Sequence, residues 1–241
     1  MIARLYPKGQ GEQSFTKAIF DNMFSLFKRK RISINSVSIP DFGWEKIRED
    51  KSVIQWINPE ENVIISLNFF ELPPDIPTMK DIEVLRNFYR QLISNVNGGL
   101  IEVEFSTKDK LSFVKTIFKL PQEPSGMGYI ASLTLPFKNC SFVFKIQAVE
   151  MGITGLREAV IAEKLLLENV ISIDESGYSN WFTDPYDKNF KSRILMNKAE
   201  QIVYDNDFPD HPLTQARQLL NQIEAGLQWK SEIEGVEVFD K

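Results

Sequence analysis

LIEVEFSTKDKLSFVKTIFKLPQEPSGMGYIASLTLPFKNCSFVFKIQAV, residues Leu100 to Val149, decides the fold. Apolar residues recur in it at every second position, the period of a strand whose side chains point alternately to opposite faces of a sheet. In LIEVEF, Ile101, Val103 and Phe105 fall on one face and Glu102 and Glu104 on the other, as in a sheet with one side covered. LSFVKTIF, YIASLTL and CSFVFKIQAV continue the pattern, with turn-forming residues between them at Lys108-Asp109, Pro124-Ser125-Gly126 and Lys138-Asn139. Links this short join antiparallel neighbours, because parallel strands need a long crossover.

Working toward the N-terminus, ISINSVSI, VIQWI and NVIISLNFFEL are rich in β-branched and aromatic residues and are separated by PDFG and NPEEN. They predict three more strands, seven in all. Pro73, Pro74 and Pro77 stop this run, and Thr78 with Asp81 opens a helix in which Ile82, Leu85, Tyr89, Leu92 and Val96 recur at three and four. Asn97-Gly98-Gly99 provides its exit. Beyond the sheet, Thr154 is the expected cap of a helix to about Glu168, with Leu156, Val160 and Leu167 expected to lie over the sheet. Ser14, Phe15, Ala18, Ile19, Met23, Leu26 and Phe27 predict an amphipathic N-terminal helix. The basic run Lys28-Arg29-Lys30-Arg31 complements the carbonyl end of that helix, and anchoring to a membrane surface is the alternative.

The last third changes texture. SGYSNWFTDPYDKNF is expected to be an ordered loop, whose Trp181, Phe182 and Tyr186 either close the open end of the sheet or form a hydrophobic interaction surface. A final helix from Pro212 carries Leu213, Ala216, Leu220, Ile223 and Leu227 on one docking face. The expected fold is therefore α+β, a largely antiparallel seven-stranded sheet flanked by helices in an α/β/α sandwich, with N-terminal and C-terminal helical additions. It is read as a single domain, 1–241: an N-terminal amphipathic helix in 1–31, a sandwich core in 32–168, and an aromatic loop and C-terminal helix packed on the core in 169–241.

At 241 residues, 43% hydrophobic and 25% charged, the chain has the composition of an ordinary soluble domain. A domain of this size buries roughly 70–75% of its extended surface. Its net charge of -5 disfavours nucleic acid, which is held by clustered Lys and Arg. No apolar run is long enough to span a bilayer and no secretory signal is seen, so a cytoplasmic protein is expected. The single Cys140 can form no internal disulfide and reads as a small buried residue.

Chemistry centres on YDNDFPDHPLTQARQLL, which holds the only histidine. Asp205, Asp207, Asp210 and His211 form a candidate polar cluster. A structural zinc site draws four ligands from Cys and His, and the chain has one of each. The calcium-loop pattern fails, since Pro209 takes the third ligand position and no glycine follows. The simpler account makes Asp210 or His211 the cap of the last helix, with Pro212 in its first turn. The competing account makes His211 a general base oriented by Asp205 or Asp207. G-x-S-x-G, Walker A and H-E-x-x-H motifs are absent from the sequence, so no catalytic residue, metal or cofactor is expected.

The order of strands and helices, with Phe42-Gly43-Trp44 after the first expected strand and Thr154-Gly155-Leu156-Arg157-Glu158 opening the later helix, resembles the PsbP-like and DcrB-like α/β/α sandwich family over 32–168. FPDHPL with Arg217 is similar to the tails of uncharacterised bacterial proteins. The family resemblance implies a small bacterial binding or assembly protein, like photosystem-associated subunits and the chaperone-adaptors of type VI secretion effectors. The expectation is a non-enzymatic adaptor for another protein or peptide, with a role in secretion-system assembly. An enzyme using the acids near His211, or a peripheral membrane protein, is the alternative.

Overall fold

The computed structural model describes residues 31–240 of the chain, which divides into two units, Met1–Ile32 and Ser33–Lys241. The expected N-terminal helix lies outside the described residues.

A 3-10 turn, Ile34–Ser36, leads into β1 (Val37–Ser38). β2 (Glu45–Glu49), β3 (Val53–Ile57) and β4 (Val63–Phe70) precede helix α1 (Ile82–Asn95). β5 (Gly99–Lys108), β6 (Leu111–Pro121), β7 (Met127–Pro136) and β8 (Ser141–Val149) follow, then α2 (Leu156–Leu167). β2 to β8 form one sheet in the order β2-β3-β4-β8-β7-β6-β5, every neighbouring pair antiparallel. The α+β class and the seven strands are as read from the sequence, with one strand exchanged. ISINSVSI forms only the turn and the two residues of β1, which pair with β13 (Gln228–Trp229). The seventh strand is the charged EKIRE, exposed at every position. An edge strand open to water needs no apolar face, so alternation could not reveal it.

Register places Ile54 and Trp56, then Val63, Ile65, Leu67 and Phe69, Phe142, Phe144, Ile146 and Ala148, and Tyr129, Ala131, Leu133 and Leu135 on one continuous buried face. α3 (Pro212–Gly226) lies over β7 and β8 there, burying Leu213, Ala216, Leu220 and Ile223. Each such Leu or Ile contributes about 1.5–3 kcal/mol. α1 packs on the opposite face, where Leu85, Tyr89 and Ile93 meet Leu100, Val103 and Val114. Asp81 caps α1 by accepting from Glu83 N and Val84 N, while Leu92 and Val96, expected inside, are exposed.

α2 corrects the sequence reading more sharply. Leu156, Val160 and Leu167 face solvent, and Arg157, Ile161, Ala162 and Leu165 face inward. Gly155, in a left-handed conformation at φ 74°, occupies the cap position expected of Thr154. Two short pairings follow, β9 (Ser172–Asp174) with β10 (Gly177–Ser179) and β11 (Phe182–Thr183) with β12 (Met196–Asn197). A four-residue helix, α4 (Ser231–Glu234), comes last. Among the described residues, no helix is long and apolar enough to cross a membrane.

Candidate functional site

A cavity of about 340 Å³ opens at one end of the sheet, between the residue that ends β8 and the N-termini of α2 and α3. Its wall includes Glu150, Arg157, Asp207, Asp210 and His211, with Met151, Ile153, Leu156 and Phe208 as apolar neighbours.

Glu150 follows directly on β8. Its Oε2 accepts from Met127 N at 2.8 Å and its Oε1 from Gly155 N at 2.9 Å, so the carboxylate ties the sheet to the start of α2. Gly126 makes room for it, because a Cβ there would lie 2.8 Å from Glu150 Oε2. His211 is the N-cap of α3, as the capping account expected: its Nδ1 accepts from Leu213 N at 3.2 Å. Its ring meets Tyr129 edge-on at 5.4 Å between centroids. With Nδ1 accepting, the ring proton of neutral imidazole sits on Nε2. That atom is buried, has no hydrogen-bond partner and lies 3.9 Å from Glu150 Oε1.

Burial, reinforced by the Arg157 and Arg217 charges, pushes His211 from the usual 6.5 down to about 3. A neutral ring presenting N–H into the cavity is a donor, and so poorly suited to serve as a general base. Glu158, in the first turn of α2, is pushed upward chiefly by burial and then by the neighbouring Glu200 and Glu150 charges. Its Oε2 is also buried without a partner. One donor atom each from Glu150, Glu158 and His211 lie within 4.8 Å of one another.

Beneath the cavity runs a layer of buried charge. Arg157 donates to Ala199 O, Gln201 O, Thr214 Oγ1 and Asp205 Oδ1 at 2.7–3.1 Å. Asp205 also receives Arg217 NH1 through both oxygens. Lys119 Nζ meets Glu200 Oε2 at 2.7 Å, with both side chains essentially inaccessible, and Tyr129 OH donates to Glu200 Oε1. Burial and the Glu200 charge hold the Tyr129 hydroxyl well above its ordinary range. Buried pairs are costly to desolvate and costlier to break, so this layer fixes how α2 and α3 meet the sheet.

The predicted residues separate as follows. Asp207, Asp210 and His211 line the cavity, while Asp205 belongs to the arginine layer. Trp181 is 4% exposed and packs with Ile161, Ala162 and Leu165, and Phe182 is exposed. Tyr186 lies half-buried beneath the Arg86 guanidinium, and its hydroxyl accepts from Val103 N and donates to Glu104. Asp184 anchors this loop through a two-bond pair with Arg90 on α1, both bonds 3.0 Å. Glu150 and Glu158 were missed. Their only signal was position, one ending a strand and one in the first turn of a helix, and nothing local connects them to His211.

No protein-family model matches the chain, and no curated protein matches it. Solved structures do. The Ran-binding protein Mog1p of Saccharomyces cerevisiae is 11% identical, with 80% of this chain and 90% of that one covered, at a TM-score of 0.39. Cyanobacterial PsbP of Synechocystis sp. PCC 6803 is 12% identical over 60% of this chain and 86% of its own, at 0.36. A Bacteroides thetaiotaomicron structure is 9% identical over 51% of this chain, at 0.33, and the chain spans 41% of its length. The PsbP match is a likeness of the kind read from the sequence. At these values it concerns fold, and no argument about the site rests on it.

Proposed function

We propose that the chain is a non-enzymatic protein-binding module that docks an amphipathic helix of another polypeptide on the outward face of α2. One observation carries this reading: the apolar stripe of α2 faces water. Leu167 is 79% exposed and Ile153, just before the helix, 82%, with Met151, Leu156 and Val160 between and beside them. A run of apolar side chains along one helix face is unusual on a surface that stays wet, and it has the spacing that packs against a second helix. Glu163, Lys164 and Glu168 flank it, as a polar rim flanks an apolar contact.

The sheet edges suit this role less well. β2 is five residues long, charged, and interrupted by a bulge between Lys46 and Arg48, all features that discourage strand addition. At β5 the Val103 N–H is already taken by Tyr186. Phe182 offers a smaller second contact. An adaptor that shields a client's apolar segment during assembly, in a secretion system or elsewhere, is the use to which such a face is suited.

The test places a photo-crosslinking residue at Val160 in the chain produced in its native host. A discrete crosslinked partner is expected, and Leu156→Glu with Leu167→Glu should abolish it while changing the melting temperature by little. Crosslinking that survives both substitutions, or that yields no discrete product, overturns the reading.

A further inference from the structure

We propose that Glu150, Glu158 and His211 form a binding site for a divalent transition cation of the zinc class, beside the cavity whose wall Glu150 and His211 share. The inference is independent of the α2 surface and rests on three observations.

The donors come from three separate elements: the end of β8, the first turn of α2 and the cap of α3. They nonetheless converge within 4.8 Å of one another. Tetrahedral coordination with bonds of about 2.0–2.1 Å places donors about 3.4 Å apart, so a cation would need the side chains to close by roughly an ångström. The His211 side chain is 7% exposed, and its Nε2, buried and without a hydrogen-bond partner, lies 3.9 Å from Glu150 Oε1. Folded proteins rarely leave such an atom unsatisfied, and Glu158 Oε2, also buried and unpartnered, faces the same problem. Finally, two carboxylates close to a neutral ring form a cation-seeking set, because the two nearby guanidiniums, Arg157 and Arg217, are committed to Asp205 and to backbone carbonyls. The mix of one imidazole nitrogen with carboxylate oxygens favours zinc or manganese over magnesium or calcium, which prefer oxygen alone.

Ligation makes a specific demand. In the metal-free chain the ring proton is on Nε2, because Nδ1 accepts from Leu213 N. A cation at Nε2 requires that proton to move through solvent to Nδ1, leaving the ring neutral and the Leu213 N–H uncapped. Three metal bonds outweigh one cap. A water molecule filling the same gap would demand no such exchange, which separates the two occupants.

The full chain, stripped with a chelator, is titrated with Zn²⁺ by calorimetry, and the one imidazole is followed by ¹⁵N NMR. One ion per chain is expected, with the proton passing from Nε2 to Nδ1 and a melting temperature that rises with free Zn²⁺. His211→Asn, which keeps a capping oxygen, and Glu158→Gln should each weaken binding by roughly 100-fold or more, beyond the effect of losing an outer-shell partner. Asp174→Asn, away from the cavity, should leave it unchanged. No saturable binding, binding indifferent to both ligand variants, or an unchanged imidazole pattern in the wild-type chain would each overturn the proposal.

Discussion

At the scale of single residues, charge placement is the chief surprise. Arg157, Lys119 and Glu200 are among the least exposed side chains described, although such types are almost never fully buried unless paired. Each is paired, and the partners come from distant segments: Ala199, Gln201, Asp205 and Thr214 for Arg157, Glu200 for Lys119. Asp50 is the opposite case, an exposed carboxylate working locally. It receives Ser52 N, Ser52 Oγ and Val53 N at the β2–β3 turn and pairs with Arg48, and these donors, Ser52 first, hold it well below the usual carboxylate range. A lowered folded-state pKa contributes stability that is present above the unfolded value, near 3.8, and lost as pH falls toward the folded one. Asp50→Asn keeps the acceptor and removes the charge. It should lower the melting temperature by a constant amount from pH 7 to pH 5, with the difference from wild type closing below about pH 4.

Elements show where periodicity suffices and where it misleads. Leu213, Ala216, Leu220 and Ile223 of α3, with Leu227 just after it, all dock as their spacing demands. The same reasoning applied to α2 chose the outward stripe, because that helix has two apolar faces and a hydrophobic pattern records spacing without direction. Ile161, Ala162 and Leu165 won the interior alongside Arg157, whose four hydrogen bonds are all made on that side. The contrast predicts unequal costs for one substitution. Leu220→Ala, which opens a cavity beneath α3, should cost about 2–5 kcal/mol in denaturant unfolding. Leu167→Ala should fall within about 0.5 kcal/mol of wild type. Equal costs would mean that α2 is turned the other way.

For the whole molecule, stability is concentrated where the two covering layers meet the central strands. β7 and β8 carry buried side chains along their full lengths under α3, whereas β9 and β10 form an exposed three-residue pairing. Hydrogen exchange should therefore protect amides of β7, β8 and α3 up to the global unfolding free energy and leave β9 and β10 exchanging first. Protection in β9 equal to that in β8 would contradict this hierarchy.

The sequence by itself determined the class, six of the seven antiparallel strands and the docking face of α3, because period two and period 3.6 are properties of neighbouring residues. A helix cap at Asp210 or His211 was legible for the same reason, since capping acts within three residues, and the structure assigns it to His211. Only tertiary structure decided that EKIRE completes the sheet, that α2 turns its leucines outward, and that Glu150 and Glu158 reach His211. Those outcomes depend on which segment supplies the opposing surface or the opposing charge, and burial energies act through space between parts of the chain that no local pattern connects.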